Sequence, residues 1–297
     1  MSQQGVGRVI RFGLVGVNTM HAGVFAGIFN GSADHAPTLA GGKVVAVWDS
    51  SESAAGTLAA AHGIARVERD PSAMVGSVDA VLIVDDTGGG ASHARLARPF
   101  LEAGLPTFVD KPMTLDIAEA AALFDLAERH GAPIMSSSAL RFAPEVAALR
   151  DQLPAVGELS SVVSVGPGDW YYYGVHAVEM YQTVVGTGAR WVHRHPFPER
   201  DVVVVGYDDA PTVVVETLRD AAYVFHLSVY GSLGRAEAEV VDADAFYRNE
   251  MAAVLEMAQT GRPPVSREQT LEVLAVLQAG VRSAETGGRV ELSDVLP

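Results

Sequence analysis

The chain has 297 residues, 48% of them hydrophobic and 19% charged, which suits one large or two medium globular domains. Its 36 acidic against 21 basic residues leave a net charge of -15, so nucleic acid and anionic membrane surfaces, which need basic patches, are excluded as partners. It contains no cysteine, which removes disulfides, thiolate nucleophiles and cysteine-ligated zinc.

The first residues, MSQQGVGRVIRFGLVGV, carry Arg8 and Arg11 and lack the apolar run and small-residue site of a signal peptide. No segment approaches the roughly 18–20 apolar residues that cross a bilayer. The expectation is a cytoplasmic protein. RVIRFGLVGV (8–17), KVVAVWD (43–49), DAVLIVD (79–85), PTFVDK (106–111) and PIMSSS (133–138) are short, apolar and β-branched, as strands buried on both faces should be. Between them HAGVFAGIF (21–29), SESAAGTLAAAHG (51–63), SHARLARPFLEAG (92–104) and DIAEAAALFDLAERHG (116–131) are long enough for helices, with Ser92 and Asp116 at N-cap positions. Repeated β-α-β order predicts an α/β Rossmann-type domain, a doubly wound parallel sheet.

After about residue 140 the pattern changes. GELSSVVSVG (157–166), RWVHRH (190–195), DVVVVGY (201–207), PTVVVETLRD (211–220) and AAYVFHLSVYG (221–231) follow one another as strands of an open, mainly antiparallel sheet. HAVEMYQTVVG (176–186) reads as a helix across it, and helices at about 242–260 and 266–285 close the chain. The expected organisation is a Rossmann domain over 1–137 and an α+β domain over 138–297.

The first strand runs into GLVGVNTMHAG, where a dinucleotide fingerprint would put G-x-G-x-x-G. Gly16 fills the first position, Asn18 the second and His21 the third, and Asn18 is expected to keep the turn through a left-handed backbone. Gly16, Asn18, Thr19 and Met20 are the candidates for holding a pyrophosphate. Asp49 ends the second strand, where a carboxylate binds ribose hydroxyls and repels a 2′-phosphate, so NAD is favoured over NADP; it could equally only cap the next helix. VDDTGGGASH lets a ligand approach the backbone, or is a slack loop; Asp86 lies at this cofactor edge, and its neighbour Asp85 has no evident partner. Lys111, held extended by Pro112, would point toward a nicotinamide.

Together these features resemble the Gfo/Idh/MocA family, the glucose–fructose oxidoreductases and inositol dehydrogenases. The resemblance rests on the Arg11–Asn18 strand and turn, Asp49, His93, Asp110-Lys111-Pro112 for the usual Glu-Lys-Pro, Leu140-Arg141-Phe142-Ala143-Pro144, Gly174-x-His176 and the TGRPPVSREQTLEVLAVLQAGVRSAETGGRVEL ending. It implies that His93 and Asp110 border the cofactor and that Arg141 borders the substrate. It also implies a sugar, inositol or related polyol as substrate, and a homodimer or homotetramer built through the C-terminal sheet.

Family dehydrogenases carry Asp-x-Gly-x-His, whose His exchanges the substrate proton, assisted by the Asp and the lysine. Here GDWYYYGVHAVEM supplies Gly174 and His176, with Tyr172 at the Asp position. His176 is expected at a helix N-terminus, where its charged form is disfavoured. Tyr172 could join Lys111 in a proton relay, could stack on a substrate ring beside Trp170, or could belong to an extended run alternating between core and surface. The catalytic candidates are Lys111, His176 and Tyr172. His176 and Glu179, with His193 and His195, have a spacing at which metal ligands can converge, but the fold needs no metal and none is expected. The favoured function is an NAD-dependent secondary-alcohol oxidoreductase. The rivals are an enzyme using tightly held NAD without net redox, and a non-catalytic NAD- or sugar-binding regulator.

Overall fold

Six short strands form the first sheet: β1 (Ile10–Val15), β2 (Gly42–Trp48), β3 (Arg66–Val67), β4 (Ala80–Ile83), β5 (Thr107–Val109) and β6 (Ile134–Ser136). In the computed structural model, which describes residues 8–209 and 211–297, they lie in the order β3-β2-β1-β4-β5-β6 with every pair parallel. Helices α1 (Met20–Asn30), α2 (Glu52–His62), α3 (His93–Glu102) and α4 (Ile117–His130) alternate with the strands. Every residue of β4 is buried, as a parallel strand covered on both faces requires. Phe12, Phe25, Phe29 and Phe108 fill the core, with Phe12 stacked on Phe29 at 4.7 Å between centroids. The strand order reverses between β1 and β4, so Val15 pairs with Ile83 and the two carboxyl ends open side by side. That switch point is where open α/β sheets bind their ligands.

The second sheet has seven strands: β7 (Leu159–Pro167), β8 (Trp191–Pro196), β9 (Arg200–Gly206), β10 (Thr212–Leu218), β11 (His226–Gly231), β12 (Arg235–Glu239) and β13 (Val290–Glu291). Their order is β12-β11-β7-β10-β9-β8-β13, and only β7 with β10 is parallel. Helices α5 (Pro144–Val156), α6 (Trp170–Val185), α7 (Ala243–Thr260) and α8 (Arg267–Thr286) accompany it. Helix α6 packs on β7 and β10, and α8 packs on β8. Alternation along the strands leaves Val163, Val165, Val202, Val204 and Val214 half-buried on a valine-rich face. Asp201 is buried in this sheet and accepts from Arg194 (2.8 Å), Arg219 (2.6 Å) and Thr217 (3.2 Å), so its charge is fully matched.

Two compact units result, and neither is a continuous piece of chain. One comprises Met1–Thr114, Ala122–Ser136 and Met251–Pro264, and the other Leu115–Ala121, Ser137–Glu250 and Val265–Pro297. The expected 221–231 strand begins only at His226. The segment before it is irregular and leaves Tyr223 largely exposed. Three elements of the second unit were not anticipated. Helix α5 carries Pro144 in its first turn and Pro154 near its end, which masks it as a loop. Strand β12 is built of Ala, Glu and Arg, poor strand formers, and β13 has two residues.

Candidate active site

In the first unit the turn after β1 is shaped by Gly16, whose φ is +94°. A Cβ there would collide with the backbone of Asp85, just past the end of β4. Only glycine lets the turn sit at the switch point. Asp49 ties this turn to the next helix: Val17 N donates to its Oδ2 (2.8 Å) and Ser51 N to its Oδ1 (2.7 Å). It therefore shapes the turn and steadies the α2 cap while retaining acceptor capacity for a ribose. Among the described residues no non-glycine has a positive φ, so Asn18 does not take the expected left-handed backbone. It keeps the turn by its side chain instead: Nδ2 donates to Thr87 Oγ1 (3.1 Å), and Oδ1 accepts from Asp86 N (2.8 Å). Thr19 caps α1 by accepting from His21 N, and Met20 stands exposed at the helix's first position.

The TGGG segment is not slack. Buried Asp85 accepts from Ser92 Oγ and from Thr87 N (3.1 Å), which clamps both ends of the segment. Ser92 holds the N-cap position of α3 but makes no cap bond, because its hydroxyl is spent on Asp85. His93, buried at the start of α3, has Nδ1 3.0 Å from Pro112 O. A carbonyl only accepts, so that nitrogen carries the proton and His93 holds the Lys-Pro segment in place. The Lys111–Pro112 peptide is cis.

The residue that sequence reasoning missed is His21. It lies buried, with Nδ1 2.6 Å from Asp110 Oδ2, while Lys111 N donates to Asp110 Oδ1 at 2.7 Å. Burial alone would raise the Asp110 pKa; His21 above all, then Lys111 and His93, overcome it and hold the group down at about 2. Asp110 is thus an ionised acceptor, and His21 Nδ1 donates to it. The signal was present as two separate departures: His for the third fingerprint glycine and Asp for the glutamate before Lys111. They are one feature, and 89 positions of chain between them hid it.

In the second unit the aromatic run is helical. Helix α6 starts at Trp170 rather than at the expected His176, which rules out the alternative of an extended, alternating run, and His176 lies in its second turn, away from the N-terminus. Helical spacing puts Tyr172, Tyr173 and His176 on one face and Trp170, Gly174 and Ala177 on the other. Trp170 is 1% exposed, and its indole N–H donates to Leu277 O (2.9 Å) on α8. It is a core residue and cannot bind substrate, because the helical turn directs it inward. Gly174 makes room for it: a Cβ there would lie 2.9 Å from Trp170 Cε3. Arg141 is likewise turned inward. Its side chain is 8% exposed and donates to Glu179 and Gln182, which makes it a brace for α6. Burial raises the Glu179 pKa, and the Arg141 charge opposes that rise.

His176 Nδ1 lies 2.6 Å from Ser138 Oγ, two residues past the end of β6. Its ring meets Phe225 edge-on at 5.4 Å and Tyr173 at 6.0 Å. Tyr172 packs on Tyr173 (5.5 Å), and Tyr173 on the exposed Tyr223 (6.3 Å), so a chain of aromatic contacts runs from His176 to the surface. Tyr171 faces elsewhere, donating to Leu115 O (3.1 Å), and burial lifts its pKa to about 12. Among the described residues no group of three or more metal donors converges. Glu179 is committed to Arg141, and the His193 and His195 rings lie 4.1 Å apart along β8, tilted by 45°.

Residues 10–138 match the family described as an oxidoreductase family with an NAD-binding Rossmann fold. The D-xylose 1-dehydrogenase (NADP+) 2 of Haloferax volcanii is 28% identical over 269 residues, spanning 73% of this chain and 81% of that one. The inositol 2-dehydrogenase of Rhizobium meliloti is 30% identical over 155 residues, or 52% of this chain and 44% of that one. The crystal structure of a myo-inositol dehydrogenase from Corynebacterium glutamicum superposes with a TM-score of 0.82 at 20% identity, over 96% of this chain and 99% of that one, and so shares its fold. No helix among the described residues is long and apolar enough to cross a membrane. Over residues 10–138 the chain matches the NAD-binding Rossmann fold of the Gfo/Idh/MocA oxidoreductase family.

Proposed function

We propose that the protein is an NAD-dependent dehydrogenase that interconverts a secondary hydroxyl and a ketone on a sugar, inositol or related polyol. The observation that carries this reading is His176, 2.6 Å from Ser138 and packed between Tyr173 and Phe225, which in turn contact Tyr172 and Tyr223. A proton-transfer group within an aromatic wall suits a polyol ring, whose C–H face stacks while its hydroxyls hydrogen-bond.

The cofactor half fits NAD. The glycine cradle at Gly16 and the capped N-terminus of α1 offer backbone donors for a pyrophosphate through Asn18, Thr19 and Met20. Asp49 would take the ribose hydroxyls and disfavour a 2′-phosphate, and Asp86 would border the same edge. When bound, NAD supplies the nicotinamide that accepts or returns hydride. His176 would take up or return the hydroxyl proton, and Lys111 would polarise the substrate oxygen. Asp110, with His21 and His93 on either side of the Lys-Pro segment, would hold Lys111 in place. Tyr172 would pack against the substrate ring. The valine-rich sheet face supports assembly as a homodimer or homotetramer, and a monomer by light scattering at micromolar concentration would remove that part.

The test is a screen of sugars and inositols with NAD and with NADP, read at the reduced-nicotinamide absorbance. Turnover with NAD is expected, with loss of at least a hundredfold in kcat for His176→Ala or Lys111→Ala. Tyr172, in place of the carboxylate, favours a second reading: tightly held NAD serving elimination, glycoside cleavage or epimerisation. Silence across the screen, with NAD co-purifying and turnover needing no added nucleotide, would select it. A Lys111→Ala variant with full biological activity would instead point to a binding-only regulator.

A further inference from the structure

Asp169 holds the N-cap position of α6, yet its side chain makes no cap bond, accepts no hydrogen bond among the described residues and is 81% exposed. It leads a stripe. Asp169, Tyr172, Tyr173 and His176 follow the i, i+3, i+4, i+7 spacing that lines one helix face, and Tyr173 N donates to Asp169 O at 3.0 Å. The carboxylate's charge is balanced all the same. Arg219 Nη1 lies 3.8 Å from Asp169 Oδ1, near enough for attraction and too far for a hydrogen bond. The guanidinium spends its own bonds on Asp201 (2.6 Å), Pro198 O (2.9 Å) and Phe197 O. Arg219 also opens the irregular segment between β10 and β11 that carries Tyr223 and Phe225. Those two rings meet at 5.2 Å, Tyr223 touches Tyr173, and both Phe225 and Tyr173 touch His176, so four rings close a circuit. An aromatic wall thus has an imidazole at one end and a carboxylate with unused acceptors at the other.

We infer that Asp169 is a specificity-determining residue: its carboxylate anchors the hydroxyls on the far side of the substrate ring from the carbon that reacts at His176. This rests on the dehydrogenase reading and narrows its substrate. Seven residues of helix place the two side chains about 10 Å apart along the axis. A hydrogen bond of about 2.8 Å at each end leaves about 5 Å between the two substrate oxygens. Hydroxyls on neighbouring carbons are closer than that, whereas hydroxyls across a six-membered ring match it. An ionised carboxylate only accepts, and its two oxygens can take two hydroxyls side by side. The C–H face of the ring would then lie along Tyr173 and Tyr223. The substrate is therefore a six-membered ring, a cyclitol or a pyranose, with free hydroxyls opposite the reacting carbon. Short open-chain polyols cannot engage both ends.

The experiment is kinetic, with D-xylose, D-glucose and myo-inositol as probes, each beside its monodeoxy analogues. In the wild type, removing the hydroxyl opposite the oxidised carbon should raise KM roughly tenfold to a hundredfold, the strength of a hydrogen bond to a charged group, with kcat little changed. Asp169→Ala should raise KM for the parent ring by the same factor and no longer distinguish it from that analogue. Asp169→Ser lacks the carboxylate but keeps a side chain suited to a helix N-cap, so it should lose the same discrimination while melting near the wild-type temperature. A merely structural role would lower the melting temperature and leave the preference for the parent ring intact. That outcome overturns the inference, as does a wild type indifferent to the far hydroxyl. If no probe is turned over, the dehydrogenase reading falls, and calorimetric titration of the same probes into NAD-loaded wild type and Asp169→Ala decides the role of the carboxylate. Binding that the substitution leaves unchanged, or no binding to the wild type, overturns it.

Discussion

His21 and Asp110 show how two residues far apart in the chain become one functional unit. Breaking a buried pair by removing one member leaves an uncompensated group and costs about 3–5 kcal/mol. Asp110→Asn should therefore lower the urea midpoint, His21→Gly should do so by a similar amount, and the double variant should lose less than the sum, since the two share one interaction. The pH dependence has a definite sign. The folded Asp110 pKa, about 2, lies below the ordinary unfolded value of about 3.9, so its contribution is complete above that value and fades as pH falls toward 2. Asp79, held down to about 2 chiefly by its hydrogen bond from Arg11, fades in the same window in both proteins. The difference between wild type and Asp110→Asn should therefore shrink between about pH 4 and pH 2, and urea titrations across that range would reveal it. Tyr172 sits one helical turn from His176 with its ring against Tyr173. If it packs on the substrate, Tyr172→Phe should stay within about threefold of wild type in kcat and KM. Tyr172→Ala should then raise KM about tenfold, the ~1.4 kcal/mol that an aromatic contact can supply. A collapse of kcat in Tyr172→Phe would place the phenol in the proton relay instead. Departures from a motif can be read residue by residue in the sequence; which of them touch cannot, because that depends on where separate strands end.

Helix α6 is organised around the slot that receives Trp170. The indole lies between Gly174 on its own helix and Gly280 on α8, and a Cβ at Gly280 would collide with its Nε1. Gly280→Ala should lower stability by about 1–3 kcal/mol through overpacking, and Gly174→Ala by less, because a 2.9 Å approach to the ring edge can be relieved by a small tilt. Thermal melts read at the tryptophan fluorescence would rank the two, and equal melting temperatures for Gly280→Ala and wild type would contradict this account. Four successive aromatic residues favour strand by propensity, which is why the segment reads as extended. The helix forms nonetheless because Trp170, Gly174, Ala177 and Tyr181 recur at helical spacing and are all buried. Strands β1, β2 and β4 were legible for the complementary reason: β4 is buried and apolar throughout, and β1 and β2 are apolar but for Arg11 and Lys43 near their starts, so they need no periodicity to betray them. Strand β12 alternates exposed Arg and Glu with buried Ala, a true period of two carried by residues that seldom form strands.

At the scale of the whole molecule the net charge of -15 acts against the binding of a dinucleotide, which is itself anionic. The turn from Gly16 to His21 contains no Lys or Arg, while Asp49, Asp85 and Asp86 all lie beside it. Attraction there comes from backbone N–H groups and the α1 dipole, which act over a few ångströms, whereas the repulsion is summed over the whole surface. Salt separates the two ranges. Raising ionic strength from 0.01 M to 0.15 M shortens the screening length from about 30 Å to about 8 Å, which removes most of the distant repulsion and little of the local attraction. NAD binding should therefore tighten as salt rises over this range, opposite to the trend of a site built from lysines and arginines. The melting temperature should rise with it, since the buried groups Arg141–Glu179 and Arg194–Asp201–Arg219 are screened far less than the surface charge. Calorimetric titrations of NAD at the two salt concentrations, run beside thermal melts without nucleotide, would decide it. Weaker binding at 0.15 M would mean that a cationic side chain carries the cofactor's charge, and Lys111, beside Asp110 at the same sheet edge, would be the residue to substitute first.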